Sequence, residues 1–95
     1  NLMTEKEVNR LLQVMRSRSM ESAKQSIARD ALRNSSIMAD DLKRVLQQFD
    51  FENTRVEFAK FAYDYLCDKN HLYYIYDVFK FDSSIREIER HTDRR

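Results

Sequence analysis

An all-α fold is predicted by three features of the sequence. There is no glycine and no proline in 95 residues, apolar residues recur at i, i+3, i+4 and i+7, and the breaks are Asn, Asp and Ser clusters. Tight hairpin turns draw on glycine for positive φ, so its absence argues against a sheet-rich fold. It argues equally against Rossmann-type and P-loop sites, where glycine lets the backbone approach phosphate. The expected architecture is five to six short helices arranged as stacked helical hairpins, in one domain over residues 1–95 with residues 91–95 as a frayed tail.

Hydrophobic residues are 42% of the chain and charged residues 35%, a balance that fits a globular domain rather than a disordered chain. No apolar run approaches the ~20 residues that cross a bilayer, so no membrane association is expected. Lys plus Arg number 17 against 16 Asp plus Glu, with the signs interspersed, which leaves no nucleic-acid footprint. Cys67 stands alone, excluding an intrachain disulfide. A start at Asn1, without an initiator methionine or a signal-like segment, leads us to expect a fragment of a longer or processed chain.

Thr4-x-x-Glu7 is a capping box that opens a first helix ending near residue 16, with Val8, Leu11, Leu12 and Met15 as its stripe. A second helix starts near Glu21 and carries Ala23, Ile27, Ala28, Ala31 and Leu32, with Asn34 expected as a left-handed end cap. The third, near residues 39–49, uses Leu42, Val45, Leu46 and Phe49, and places Asp40 and Asp41 in its first turn, where the dipole favours them. Asn53 is expected to cap a fourth helix over about residues 54–68. That helix is apolar on two faces and so central, with Phe58, Phe61, Ala62 and Tyr65 on one and Val56, Ala59, Tyr63 and Leu66 on the other. Asp68 is expected to cap a fifth helix near residues 69–80 with Leu72, Ile75, Tyr76 and Phe79 buried. Ser83 would cap a short sixth carrying Ile85 and Ile88.

A repeat of about thirty residues emerges from these segments. Leu42-x-x-Val45-Leu46-x-x-Phe49-x-Phe51-Glu52 aligns with Leu72-x-x-Ile75-Tyr76-x-x-Phe79-x-Phe81-Asp82. Thirty-one residues earlier, Leu11-x-x-Val14-Met15-x-x-Arg18-x-Met20-Glu21 fits the same pattern. Ile27-Ala28-Arg29-x-Ala31 likewise underlies Phe58-Ala59-Lys60-x-Ala62, giving roughly two and a half hairpins that complete one another's core. Each Phe-x-Phe is expected to be a corner that sends a phenylalanine inward from both sides of the bend, so Phe49, Phe51, Phe79 and Phe81 should all be buried. Phe58, Ala59 and Ala62 join them as structural core.

Phe49-x-Phe51-Glu52, the run from Glu57 to Tyr65, Asp68-Lys69-Asn70 and Phe79-x-Phe81-x-Ser83-Ser84 closely resemble an uncharacterised helical family, domain of unknown function 4476. The resemblance covers roughly residues 5–91 and implies a small all-helical domain, found as a terminal module of longer, exported-looking bacterial chains. It implies no catalytic residues. Met38 departs from the family pattern, where a threonine cap for the third helix is expected.

No spacing in the chain forms a catalytic or cofactor motif, so a non-enzymatic interaction or spacer module is expected. Its partner would be a protein or peptide, including another part of the parent chain, and no cofactor or metal is expected. Tyr73 and Tyr74 fall outside the fifth helix's buried stripe and, with Tyr65, are the candidate binding residues, tyrosine being enriched at interface hot spots. The alternatives are packing against the first or fourth helix, or an idle surface. Lys60 and Arg29 read as local ion pairs, Lys60 with Asp64; His71 near Asp68 reads as capping rather than metal ligation; Cys67 reads as a small packing residue. Asp40-Asp41 and Glu87-x-Glu89 do not make an acid/base pair. Arg86, Arg90, Arg94 and Arg95 form a basic cluster interrupted by acids. Tyrosines beside arginines raise single-stranded nucleic-acid binding as the alternative function.

Overall fold

Thr4 begins the first helix as its spacing requires. In the computed structural model, which describes residues 1–94, Thr4 Oγ1 accepts from the Glu7 N–H at 3.1 Å and the Glu7 carboxylate accepts from the Thr4 N–H at 2.8 Å. Helix α1 spans Glu5–Arg16 and buries Val8, Leu11, Leu12 and Met15. It is followed by α2 (Glu21–Leu32), α3 (Ala39–Leu46), α4 (Glu52–Ala62) and α5 (Asp82–Asp93), with a 3-10 turn at Tyr63–Tyr65 and a 3-10 segment at Lys69–Val78. The fold is therefore all-α.

Two rows of helices make the body. α1, α3 and the Lys69–Val78 segment pack in succession; α2, α4 and α5 pack in succession beside them. The extended pieces that precede the first row also lie side by side. Ser36 donates to Asn1 O and Met3 to Ser36 O, while Ile37 donates to Tyr65 O and Cys67 to Ile37 O, forming isolated parallel bridges. The core between the rows centres on Met15, Leu32, Ile37, Leu42, Leu46, Phe49, Phe58, Ile75 and Ile88, all closed to solvent.

Several sequence expectations are corrected. Phe49 and Phe79 are buried, but Phe51 is 64% and Phe81 57% exposed, so the Phe-x-Phe corner does not send both rings inward. The chain bends at Asp50 and at Lys80, and the second phenylalanine becomes the extended residue just before a helix. A repeat defined by four buried phenylalanines therefore does not stand. Phe58, Ala59 and Ala62 are fully buried as expected.

Asn53 and Ser83 lie inside their helices rather than capping them, because α4 and α5 start two residues earlier than expected, at Glu52 and Asp82. Helix α4 stops at Ala62, well before residue 68. The backbone tightens through Tyr63–Tyr65 and Leu66 turns extended to meet Ile37. Asn34 is not left-handed, since no described residue has positive φ; Ser35 N–H closes the end of α2 on Leu32 O instead. The Lys69–Val78 segment is 3-10, and its buried residues Leu72, Ile75 and Val78 recur every three positions, matching three residues per turn. Val78 takes the buried place expected of Tyr76, which is half-buried. Helix α5 continues to Asp93 through part of the expected tail, and Arg95 lies outside the described residues.

Met38 opens α3 with no side-chain cap of its own. The missing cap comes from a distant residue: Asp68 Oδ1 accepts from the Ala39 N–H at 2.8 Å. Asp68 thus serves α3 and not the segment it precedes, for which it makes no capping bond. Cys67 is exposed, not packed. Side chains alternate along the extended piece it shares with buried Leu66, which turns Cys67 outward.

Candidate functional site

Two joints bind the second row of helices together, and both use a glutamate at a helix start. The Glu21 carboxylate accepts from the Asp50 and Phe51 N–H groups at 3.0 and 3.2 Å. The Glu52 carboxylate accepts from the Lys80 N–H at 3.0 Å and the Phe81 N–H at 3.2 Å. A cation one turn later reinforces each: Lys24 Nζ donates to Gln48 O at 2.9 Å, and Arg55 donates to Phe49 O at 2.9 Å and Val78 O at 2.7 Å. Burial opposes ionisation of Glu52. Hydrogen bonds from Ser84, Lys80 and Phe81, with Arg55 nearby, outweigh it and hold the carboxyl below its ordinary value.

Ser19 and Met20 occupy the corresponding place ahead of α2. No described group accepts from either N–H, and Met20 is 66% exposed. A shallow dent of about 250 Å3 lies there, between Arg18, Met20 and Ala23. Farther along the same hairpin, toward the start of α1 and the end of α2, the two helices form a groove of about 770 Å3 floored by Met3, Leu11, Val14, Ile27 and Ala31 and edged by Lys6 and Arg10. Neither Lys6 nor Arg10 makes an ion pair with a described residue.

The tyrosines singled out from sequence are divided between two places. Tyr65 packs on Phe61 at 5.2 Å, closing a ring series that runs through Phe58 to Phe49. Tyr73 and Tyr74 meet edge to face at 5.0 Å, and Tyr74 stacks on His71 at 4.6 Å. His71 Nδ1 lies 3.2 Å from Asp68 Oδ2. Partial burial, the Tyr73 hydroxyl and the carboxylates of Asp40 and Asp68 push the Tyr74 phenol up. Among the described residues no group of three His, Cys, Asp or Glu side chains could hold a metal ion.

Lys60 pairs with Glu57 and Glu87 rather than with Asp64. The Glu87 bond is the main reason its ammonium is held above the usual range. It fastens α4 to α5. Arg29 lies over the Phe61 ring at 5.3 Å instead of in a local pair on its own helix. Asp41 is bound to Arg44 at 3.2 Å, and Glu87 is spent on Lys60, so these acids are structural.

The α1–α2 groove was not anticipated, because the stripes on both helices read as inward-facing. Its signal was Val14, an apolar residue off the α1 stripe that aligns with Val45 and Ile75. Those two are fully buried, whereas Val14 is 36% exposed.

Fold and surface together define a small all-helical domain with one end of its helix rows uncovered. The family model described as Domain of unknown function (DUF4476) matches residues 2–92, and the chain belongs to that family. No curated protein and no solved structure matches the chain.

Proposed function

We propose that this domain is a non-enzymatic interaction module built of three helical hairpins in series, whose docking face is the α1–α2 groove. The hairpins are α1 with α2, α3 with α4, and the Lys69–Val78 segment with α5. The two glutamate joints, spaced like the sequence repeat, support that register without requiring the second phenylalanine of each corner to be buried.

One observation carries the docking face. In this register Val14, Ile27 and Ala31 correspond to Val45, Phe58 and Ala62, which are fully buried. Among the described residues none covers the same side of the first hairpin, so its equivalents remain open as a groove. A hairpin in a stacked array hides its apolar face only against a neighbour, and an uncovered apolar concavity is where a protein or peptide segment gains most by binding. Tyr74 lies near the carboxylates of Asp40 and Asp68, a poor setting for phosphate, so protein rather than single-stranded nucleic acid is the favoured partner.

Selecting peptides from a random library on the immobilised domain, with counter-selection on Val14→Arg, tests this reading. Peptides that bind the native domain and lose binding to the variant are expected. A library yielding none that depend on Val14 contradicts it.

A further inference from the structure

We infer that the occupant of the α1–α2 groove is an amphipathic helix with an acidic first turn, followed three residues on by a cation and four residues later by alanine. This rests on the groove being a docking face and deepens that reading by specifying the partner.

The two internal joints show what such a helix looks like. Glu21, Lys24 and Ala28 on α2 face the joint before α4; Glu52, Arg55 and Ala59 on α4 face the joint before α5. In each, the carboxylate takes two adjacent backbone N–H groups, the cation takes a carbonyl oxygen of the same joint, and the alanine is fully buried. A methyl group at that position lets the helices approach closely.

Ahead of α2 the same two donors exist, the N–H groups of Ser19 and Met20, without an acceptor among the described residues. A carboxylate is the matching group, because two parallel N–H donors are best satisfied by an ionised acceptor. Charge agrees with this. Lys6 and Arg10 edge the groove, Arg18 lies at the dent, and none of the three has an ion-pair partner among the described residues. Glu7, also on the groove, accepts from the Thr4 N–H and keeps its negative charge, so the groove's lining carries two cations against one anion. Arg18, beside the two donors, is the cation that complements an acidic helix start, while Lys6 and Arg10 lie farther along the apolar floor of the groove.

A second copy of the chain is a poorer fit. Its available helix end is α5, where Asp82 is exposed and has no partner among the described residues. On α5, however, the place of Ala28 and Ala59 is taken by Glu89, whose length and charge oppose close approach. The last hairpin thus ends in a polar face, as terminal units of arrays do.

The test uses a synthetic peptide of residues 50–65, held helical by a hydrocarbon staple between positions 53 and 57, both exposed on α4. It is titrated into the 15N-labelled chain. We expect saturable binding that moves the Ser19 and Met20 amide resonances, with affinity falling about tenfold or more in peptides carrying Glu52→Ala or Ala59→Glu, the scale of a lost charged hydrogen bond. Absence of binding, or binding indifferent to both substitutions, overturns the inference. So does concentration-dependent self-association of the chain that Asp82→Ala abolishes, since the face would then receive a second copy. If the library selection yields Val14-dependent peptides without the acid and alanine, the groove remains the docking face and only this partner assignment falls.

Discussion

Glu52 accepts a hydrogen bond from the Phe81 backbone N–H at 3.2 Å, and its other contacts make that carboxylate the hinge pin between α4 and α5. A hydrogen bond to a charged group contributes about 1.5–3 kcal/mol when partly shielded from water. Glu52→Ala is expected to lower unfolding stability by about that much in urea titrations, while Glu57→Ala, on the exposed side of the same helix, should change it by less than about 0.5 kcal/mol.

Acid should act through the same group. The folded-state pKa of Glu52 lies below the unfolded value near 4.5, so its contribution is fully present above that value and is lost as pH falls through the folded one. Stability measured from pH 6 downward should decline below about pH 4.5, and Glu52→Gln should flatten that part of the decline. An unaltered slope in the variant would place the sensitivity elsewhere.

The two phenylalanines of one corner should behave in opposite ways. Phe49→Ala removes a ring that packs on Phe58 at 5.4 Å in the closed core and should cost about 3–5 kcal/mol. Phe51→Ala should cost less than about 1 kcal/mol, because its ring stands in solvent. Chemical denaturation of both variants gives the comparison.

The contrast marks how far the sequence could be read. The buried stripe of α1 and most of that of α3 follow from apolar spacing, and the Thr4–Glu7 cap follows from a local motif. Of the α2 stripe only Ala28 and Leu32 are buried, with Lys24 beside them, while Ala23, Ile27 and Ala31 are half-buried. What failed depends on contacts across the chain. The orientation of Phe51 and Phe81 is set by bends whose N–H groups are claimed by carboxylates about thirty residues away. Cys67 is turned out because its neighbour Leu66 pairs with Ile37. The 3-10 course of Lys69–Val78 suits a spacing of three that also satisfies a helical stripe over so short a span. The candidate groove was hidden for the same reason: whether Val14 and Ile27 are covered depends on what packs beyond them.

A cap supplied from a distance should be replaceable by a local one. Asp68→Ala removes the acceptor for the Ala39 N–H and should cost about 0.5–2 kcal/mol. Adding Met38→Thr to that variant restores an acceptor at the residue before α3 and should recover most of the loss. Thermal melts of the single and double variants measure it. No recovery would show that Asp68 matters for some other reason, such as its contact with His71.

In the proposed register α2, α4 and α5 begin at three like joints, of which the first is open. Residue-resolved amide hydrogen exchange in the free chain tests it most directly. The N–H groups of Asp50, Phe51, Lys80 and Phe81 should exchange slowly, held by Glu21 and Glu52, while those of Ser19 and Met20 exchange at the rate of an unstructured backbone. Equal protection at all six, or fast exchange at all six, would contradict it.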